Sequence, residues 1–105
     1  MLVFASAAVA GPPEGDGARL YAERCSGCHG DDGKGDGAAA AALVPRPRNL
    51  RDAAFWQGRT IEQIRSVVAK GKPGTMMMAF AGTLTDAEID AVARHVLGFD
   101  PAARK

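Results

Sequence analysis

The sequence has few of the residues from which a small domain usually draws stability. Four Phe, one Trp and one Tyr in 105 residues leave little aromatic bulk for a core. A chain of this length buries a modest share of its surface, so its apolar core alone gives marginal stability. Such domains add a staple, commonly a disulfide, a metal or a large bound cofactor. An excess of one charge is also missing, because the formal charge is only +1. Neutralising phosphates needs a clear basic excess, which excludes nucleic acid as a partner. No apolar run approaches the ~20 residues that cross a bilayer. There is no internal repeat and no convincing strand.

What is present begins with ten apolar, uncharged residues that end in Ala8-Val9-Ala10. Small residues in that spacing are what signal peptidase cleaves after, so residues 1–10 read as the remnant of an export signal. The basic residues that usually open such a signal are missing. The remaining 11–105 read as one domain. Asp16 reads as the N-cap of a helical stretch that runs through Leu20 and Tyr21 into Cys25. Gly30 to Gly37 is dense in Gly and Asp and reads as a tight, solvated loop. Ala38 to Leu43 has the composition of a short helix, stopped by Pro45 and Pro47. Thr60 and Gln63 form a capping box ahead of Ile61, Ile64, Val67 and Val68, with Gly71 as the natural terminator. A second box, Thr85 to Glu88, opens the last helix, whose apolar stripe is Ile89, Val92, Ala93, Val96 and Leu97. Gly98 and Pro101 end it. The expectation is an all-α domain of three main helices joined by long loops. Loops that long need something to pack against, which again points to a cofactor.

Cys25-Ser26-Gly27-Cys28-His29 carries the clearest chemistry. C-x-x-C-H marks covalent haem attachment. Two thiols three positions apart reach the two vinyl groups on one edge of a porphyrin and form thioethers. The next residue then offers an imidazole to the iron. A thioredoxin-like pair would use the same two cysteines, but it needs a βαβ context that this chain lacks. A structural zinc site needs four ligands, which would take both Cys and both His, and His95 is poorly spaced for that. An inert pair of core cysteines leaves the adjacent His unexplained. A second axial ligand is expected from Met76, Met77 or Met78, because haem in electron-transfer proteins is commonly held by His and Met. Their loop runs from Lys72 to Gly82. The alternative is that these methionines only fill gaps in a core, and spacing does not choose among three adjacent sulfurs.

Two segments together resemble the class I cytochrome c family, in its bacterial monohaem branch. Gly17-x-x-Leu20-Tyr21 followed by Cys25 to Gly30 is similar to the family's first helix and haem site. Lys70 to Phe80 is similar to its axial-methionine loop, usually written Gly-Thr-x-Met-Pro-x-Phe. The resemblance covers nearly all of 17–98. It implies the small class I fold wrapped around one covalently bound haem c. Aligning Phe80 with the family Phe puts the axial ligand at Met77 and a departure, Met78, at the family Pro. It also implies a close crossing of the first and last helices at Gly17. There His95 takes the place of an aromatic and reads as a packing residue. A proline carbonyl, from Pro45 or Pro47, would accept the His29 Nδ1–H. Arg46, Arg48 or Arg51 would pair with a haem propionate, and Trp56 would donate its indole N–H to one. Solvated arginines and a packed Trp56 are the plainer alternatives.

The function so implied is electron transport by an exported, periplasmic carrier rather than an enzyme. It would act as a monomer, taking redox proteins as partners and no small-molecule substrate. The rival readings are a haem subunit or domain of a larger oxidoreductase, and a sensor or peroxidase-like protein with an open iron site. Asp31, Asp32 and Asp36 on one side, and Arg46 to Arg51 on the other, leave the charge of the docking rim undecided.

Overall fold

A computed structural model describes residues 14–104 of the chain. The apolar leader at 1–10 lies outside them. Helix α1 covers Glu14–Arg24 and a one-turn helix α2 covers Ser26–His29. A 3-10 turn at Ala40–Ala42 and a one-turn α3 at Ala53–Trp56 interrupt the following loop. Helices α4, Ile61–Lys70, and α5, Asp86–Leu97, complete the frame, with a 3-10 turn at Pro101–Arg104. The described residues contain no strand.

Both capping boxes form as the sequence implies. Thr60 Oγ1 accepts from the Gln63 N–H at 3.2 Å while Gln63 Oε1 accepts from the Thr60 N–H at 2.9 Å. Thr85 and Glu88 repeat the exchange at 3.1 and 2.9 Å. Each box satisfies helix N–H groups that have no partner within the helix. Asp16 is different. Helix α1 already includes Glu14, so Asp16 lies inside the helix and pairs with Arg19 at 3.7 Å instead of capping. Helix α3 is a further short element, beyond the three main helices expected, and Asp52 caps it by accepting from the Ala54 N–H at 3.1 Å.

Helix α1 crosses α5, and α4 also packs on α5. The α1–α5 crossing depends on Gly17, because a Cβ there would run into the Ala91 carbonyl oxygen. The approach of the two backbones buries Leu20 and Tyr21 against Ile89, Val92, Ala93 and Val96. Tyr21 and Val92 are fully enclosed. His95 stacks with Tyr21 and Phe99, at ring-centroid distances of 5.0 and 5.3 Å. It therefore packs among aromatics on the side of α5 that faces α1.

Candidate functional site

The Cys-Cys-His turn follows directly from α1. The Cys25 N–H donates to the Tyr21 carbonyl at 2.8 Å, continuing the helix, and His29 N–H then closes on the Cys25 carbonyl at 2.9 Å. The Gly-rich loop folds back over this turn. Gly35 N–H reaches the His29 carbonyl at 2.7 Å, and Gly37 and Ala39 donate to the Cys28 and Gly27 carbonyls. Tyr21 Oη donates to the Gly30 carbonyl at 2.6 Å. The turn is thus held from both ends, and Cys25, Cys28 and His29 face one cleft of about 370 Å³.

The walls of that cleft are apolar. Leu50, Phe55, Ile64, Val67, Val68, Phe80, Val92 and Val96 line it, together with Pro45 and Pro47. Burial pushes the Cys25 thiol up to about 11, with the Cys28 thiol beside it adding to the shift. Burial lowers the His29 pKa and so favours the neutral ring, against a smaller opposing effect from the Arg48 carbonyl. That carbonyl lies 3.4 Å from His29 Nδ1. If Nδ1 carries the proton, Nε2 presents the lone pair a metal needs.

Met77 comes from the opposite segment. Its N–H donates to Thr75 Oγ1 at 3.1 Å, and its carbonyl accepts from Lys72 at 3.4 Å. Gly71, at φ 74°, ends α4 in a conformation that L side chains rarely adopt, and a Cβ there would crowd the Met77 carbonyl. The three methionines are placed differently. Met77 is half-buried and packs against the core, whereas Met76 and Met78 are 68% and 61% exposed. Phe80 is buried, lines the cleft and donates its N–H to the Val68 carbonyl at 3.0 Å.

Several expected contacts are corrected. The His29 partner is the Arg48 carbonyl rather than that of Pro45 or Pro47, although both prolines remain on the wall. Trp56 does not line the cleft, and its indole N–H is used by the Leu50 carbonyl at 2.7 Å. Arg51 turns away, donating to the Asp32 carbonyl at 2.7 Å and lying 4.9 Å from the Phe99 ring centre. Arg46 and Arg48 stay at the cleft. Arg59, Arg24 and Lys72 join them, none of which the sequence marks. Arg59 arrives by stacking 4.1 Å over Phe55, a contact with no sequence signature.

A pair of thiols, an imidazole with one nitrogen engaged and a facing thioether fit haem, and the apolar walls suit a porphyrin. The arrangement is that of a covalent haem site on an all-α frame. Comparison with known proteins agrees. Residues 12–96 match the family described as cytochrome c oxidase, cbb3-type, subunit III. Cytochrome c55X of Paracoccus denitrificans is 32% identical over 92% of this chain and 88% of its own length. The dihydro-haem d1 dehydrogenase of Pseudomonas aeruginosa is 33% identical over 90% of this chain. The solved structure of the c-type cytochrome KustC0563 superposes with a TM-score of 0.66, at 35% identity, over 80% of this chain and 96% of that one. The chain belongs to the class I c-type cytochromes, within the family of cbb3-type oxidase subunit III. Haem c is its cofactor and electron transfer its function. It spans between 17% and 36% of the length of several curated relatives, the dehydrogenase among them. No helix of the described residues is long and apolar enough to cross a membrane.

Proposed function

We propose that this chain is a single-electron carrier holding one haem c through thioethers at Cys25 and Cys28, with His29 and Met77 as the axial ligands. The observation that carries this reading is that Met77 is half-buried against the core, whereas Met76 and Met78, which also line the cleft, are exposed. Haem bound there supplies a one-electron couple. The residues of the chain do the rest. The Arg48 carbonyl orients His29, and the Thr75 and Lys72 contacts hold the Met77 backbone. The apolar walls exclude water, and a soft thioether ligand favours the ferrous state and raises the potential. His29 and Met77 would both hold the iron, which would leave no place for a small molecule and make redox proteins the partners.

The short apolar leader supports export to the periplasm, with residues 11–105 as the working domain and a monomer as its form. A second reading has a specific basis. Since the chain spans 17% of the dehydrogenase it resembles, it also suits the role of a haem module delivering electrons within a larger oxidoreductase. Isolation at native expression, followed by size analysis, separates the two. The ligand set is tested by the weak far-red band of the ferric protein, which requires Met–iron ligation. The band is expected in the wild type and absent from Met77→Ala. Its survival in that variant moves the ligand to Met78 or Met76. Its absence from the wild type, with rapid carbon monoxide binding, overturns the carrier reading in favour of an open site.

A further inference from the structure

We propose that Met76 and Met78 are sites of reversible sulfoxidation by peroxide, through which an oxidant lowers the potential of the haem without unseating Met77. This rests on the ligand set given above and adds a modification within the same loop. Three of the chain's four methionines are consecutive, and all three line the cleft. With His29 on one side of the iron, this loop supplies a single sulfur to the other. Two thioethers are then left unligated beside the haem. Burial sorts the three. Met76 and Met78 are 68% and 61% exposed, whereas Met77 is half-buried against the core. Oxidation follows the access of oxidant to sulfur, and a bond to iron would occupy a lone pair of the Met77 sulfur as well.

The backbone is sorted in the same way. The Met77 N–H is held by Thr75 Oγ1 and its carbonyl by the Lys72 N–H. The backbones of Met76 and Met78 make no hydrogen bond among the described residues. An oxygen added at either position therefore breaks no bond that seats Met77. The class I family writes proline where this chain has Met78, so that outer thioether belongs to this sequence. In the chemical step, the sulfur lone pair attacks one oxygen of hydrogen peroxide. An S–O bond forms, the O–O bond breaks, and the displaced hydroxide takes up the proton of the added oxygen and leaves as water. Sulfur is oxidised by two electrons and peroxide is reduced. A dithiol reverses the step, becoming a disulfide as the oxygen departs as water. The sulfoxide is polar where the thioether was apolar. Ferric haem carries one more positive charge than ferrous haem, so a more polar and better hydrated cleft mouth favours the ferric state and lowers the potential.

The test adds graded hydrogen peroxide to the ferric holoprotein and maps each methionine by tandem mass spectrometry. The far-red band and the midpoint potential are read on the same samples. Met76 and Met78 are expected to gain oxygen about fivefold or more faster than Met77, with the band retained and the potential lowered. Methionine sulfoxide reductases for both epimers, supplied with a dithiol, should restore mass and potential together. Met76→Leu with Met78→Leu keeps the apolar bulk without the sulfurs, so it should retain the band and lose the fall in potential. Oxidation of Met77 first or at an equal rate overturns the proposal, as does an unchanged potential once Met76 and Met78 carry oxygen. An equal fall in the double Leu variant assigns the effect to another site and overturns it too. A mass or potential that the reductases leave unchanged overturns the reversible switch. A band present in the untreated protein, with Met77 oxidised as fast as its neighbours, sinks the modification alone. A band missing from the untreated protein, with the order of oxidation intact, sinks the ligation alone.

Discussion

Tyr21 shows how much a single residue of this site does. Its ring is enclosed between α1 and α5, and its hydroxyl is the side-chain donor to the Gly30 carbonyl at the end of the Cys-Cys-His turn. Burial pushes its pKa far above the usual phenol range, so the group stays a donor at any physiological pH. Tyr21→Phe keeps the packing and leaves that carbonyl without its partner, at a cost of about 1–2 kcal/mol. Thermal denaturation of the holoprotein should then show a midpoint lower by roughly 5 °C or more, and an unchanged midpoint would mean that water replaces the hydroxyl. At this scale the sequence names the chemistry of Cys25, Cys28 and His29, because a covalent motif is local. It does not name Arg48 as the orienting carbonyl. Every residue has a carbonyl, and which one faces Nδ1 depends on a contact nineteen positions away.

Among the elements, the crossing of α1 and α5 has the narrowest tolerance. A Cβ at Gly17 meets backbone, the Ala91 carbonyl, and backbone cannot swing aside as a side chain can. Gly17→Ala should force the helices apart and destabilise by about 1–3 kcal/mol despite its better helix propensity. Chemical denaturation checks the sign, since a helix free of the crossing would instead be stabilised. The capped helices α4 and α5 were legible because capping boxes are four-residue signals. Helix α3 is a single turn with one cap, too short to show periodicity.

The whole molecule is built around its cleft. Haem held in the cleft would cover the apolar walls formed by Leu50, Phe55, Val68 and Phe80, so the chain without it exposes them. Protein produced without haem attachment should lose cooperative unfolding and much of its helical circular dichroism. Retention of a sharp transition would show that the helices suffice. Acidity should act on the assembled fold in two windows. Burial lowers the His95 pKa, so its neutral form is favoured on folding. The stability this brings is complete above the unfolded value of 6.5 and is lost as pH falls through the lower folded value. His95→Phe should therefore flatten the fall in melting temperature between pH 7 and 5. Asp90 is held below its usual range by hydrogen bonds first from Arg94 and then from Arg65, linking α5 to α4. Its smaller, solvent-screened contribution is complete above 3.8 and is lost as pH falls through the lowered folded value. Asp90→Asn should remove that part of the acid transition.

The sequence by itself determined the all-α class, the two capped helices, the family and the Cys-x-x-Cys-His motif. Each is written in residues that are neighbours along the chain, where spacing and chemistry can be read directly. Only the tertiary structure decided which methionine packs against the core, which carbonyl meets His29 and which charges line the cleft. Three adjacent methionines have the same composition and differ only in burial. Arg24, Arg59 and Lys72 are far apart in sequence and line one cleft only in the folded chain. A rim of charge is a property of surfaces brought together, so it has no counterpart in any short stretch of sequence.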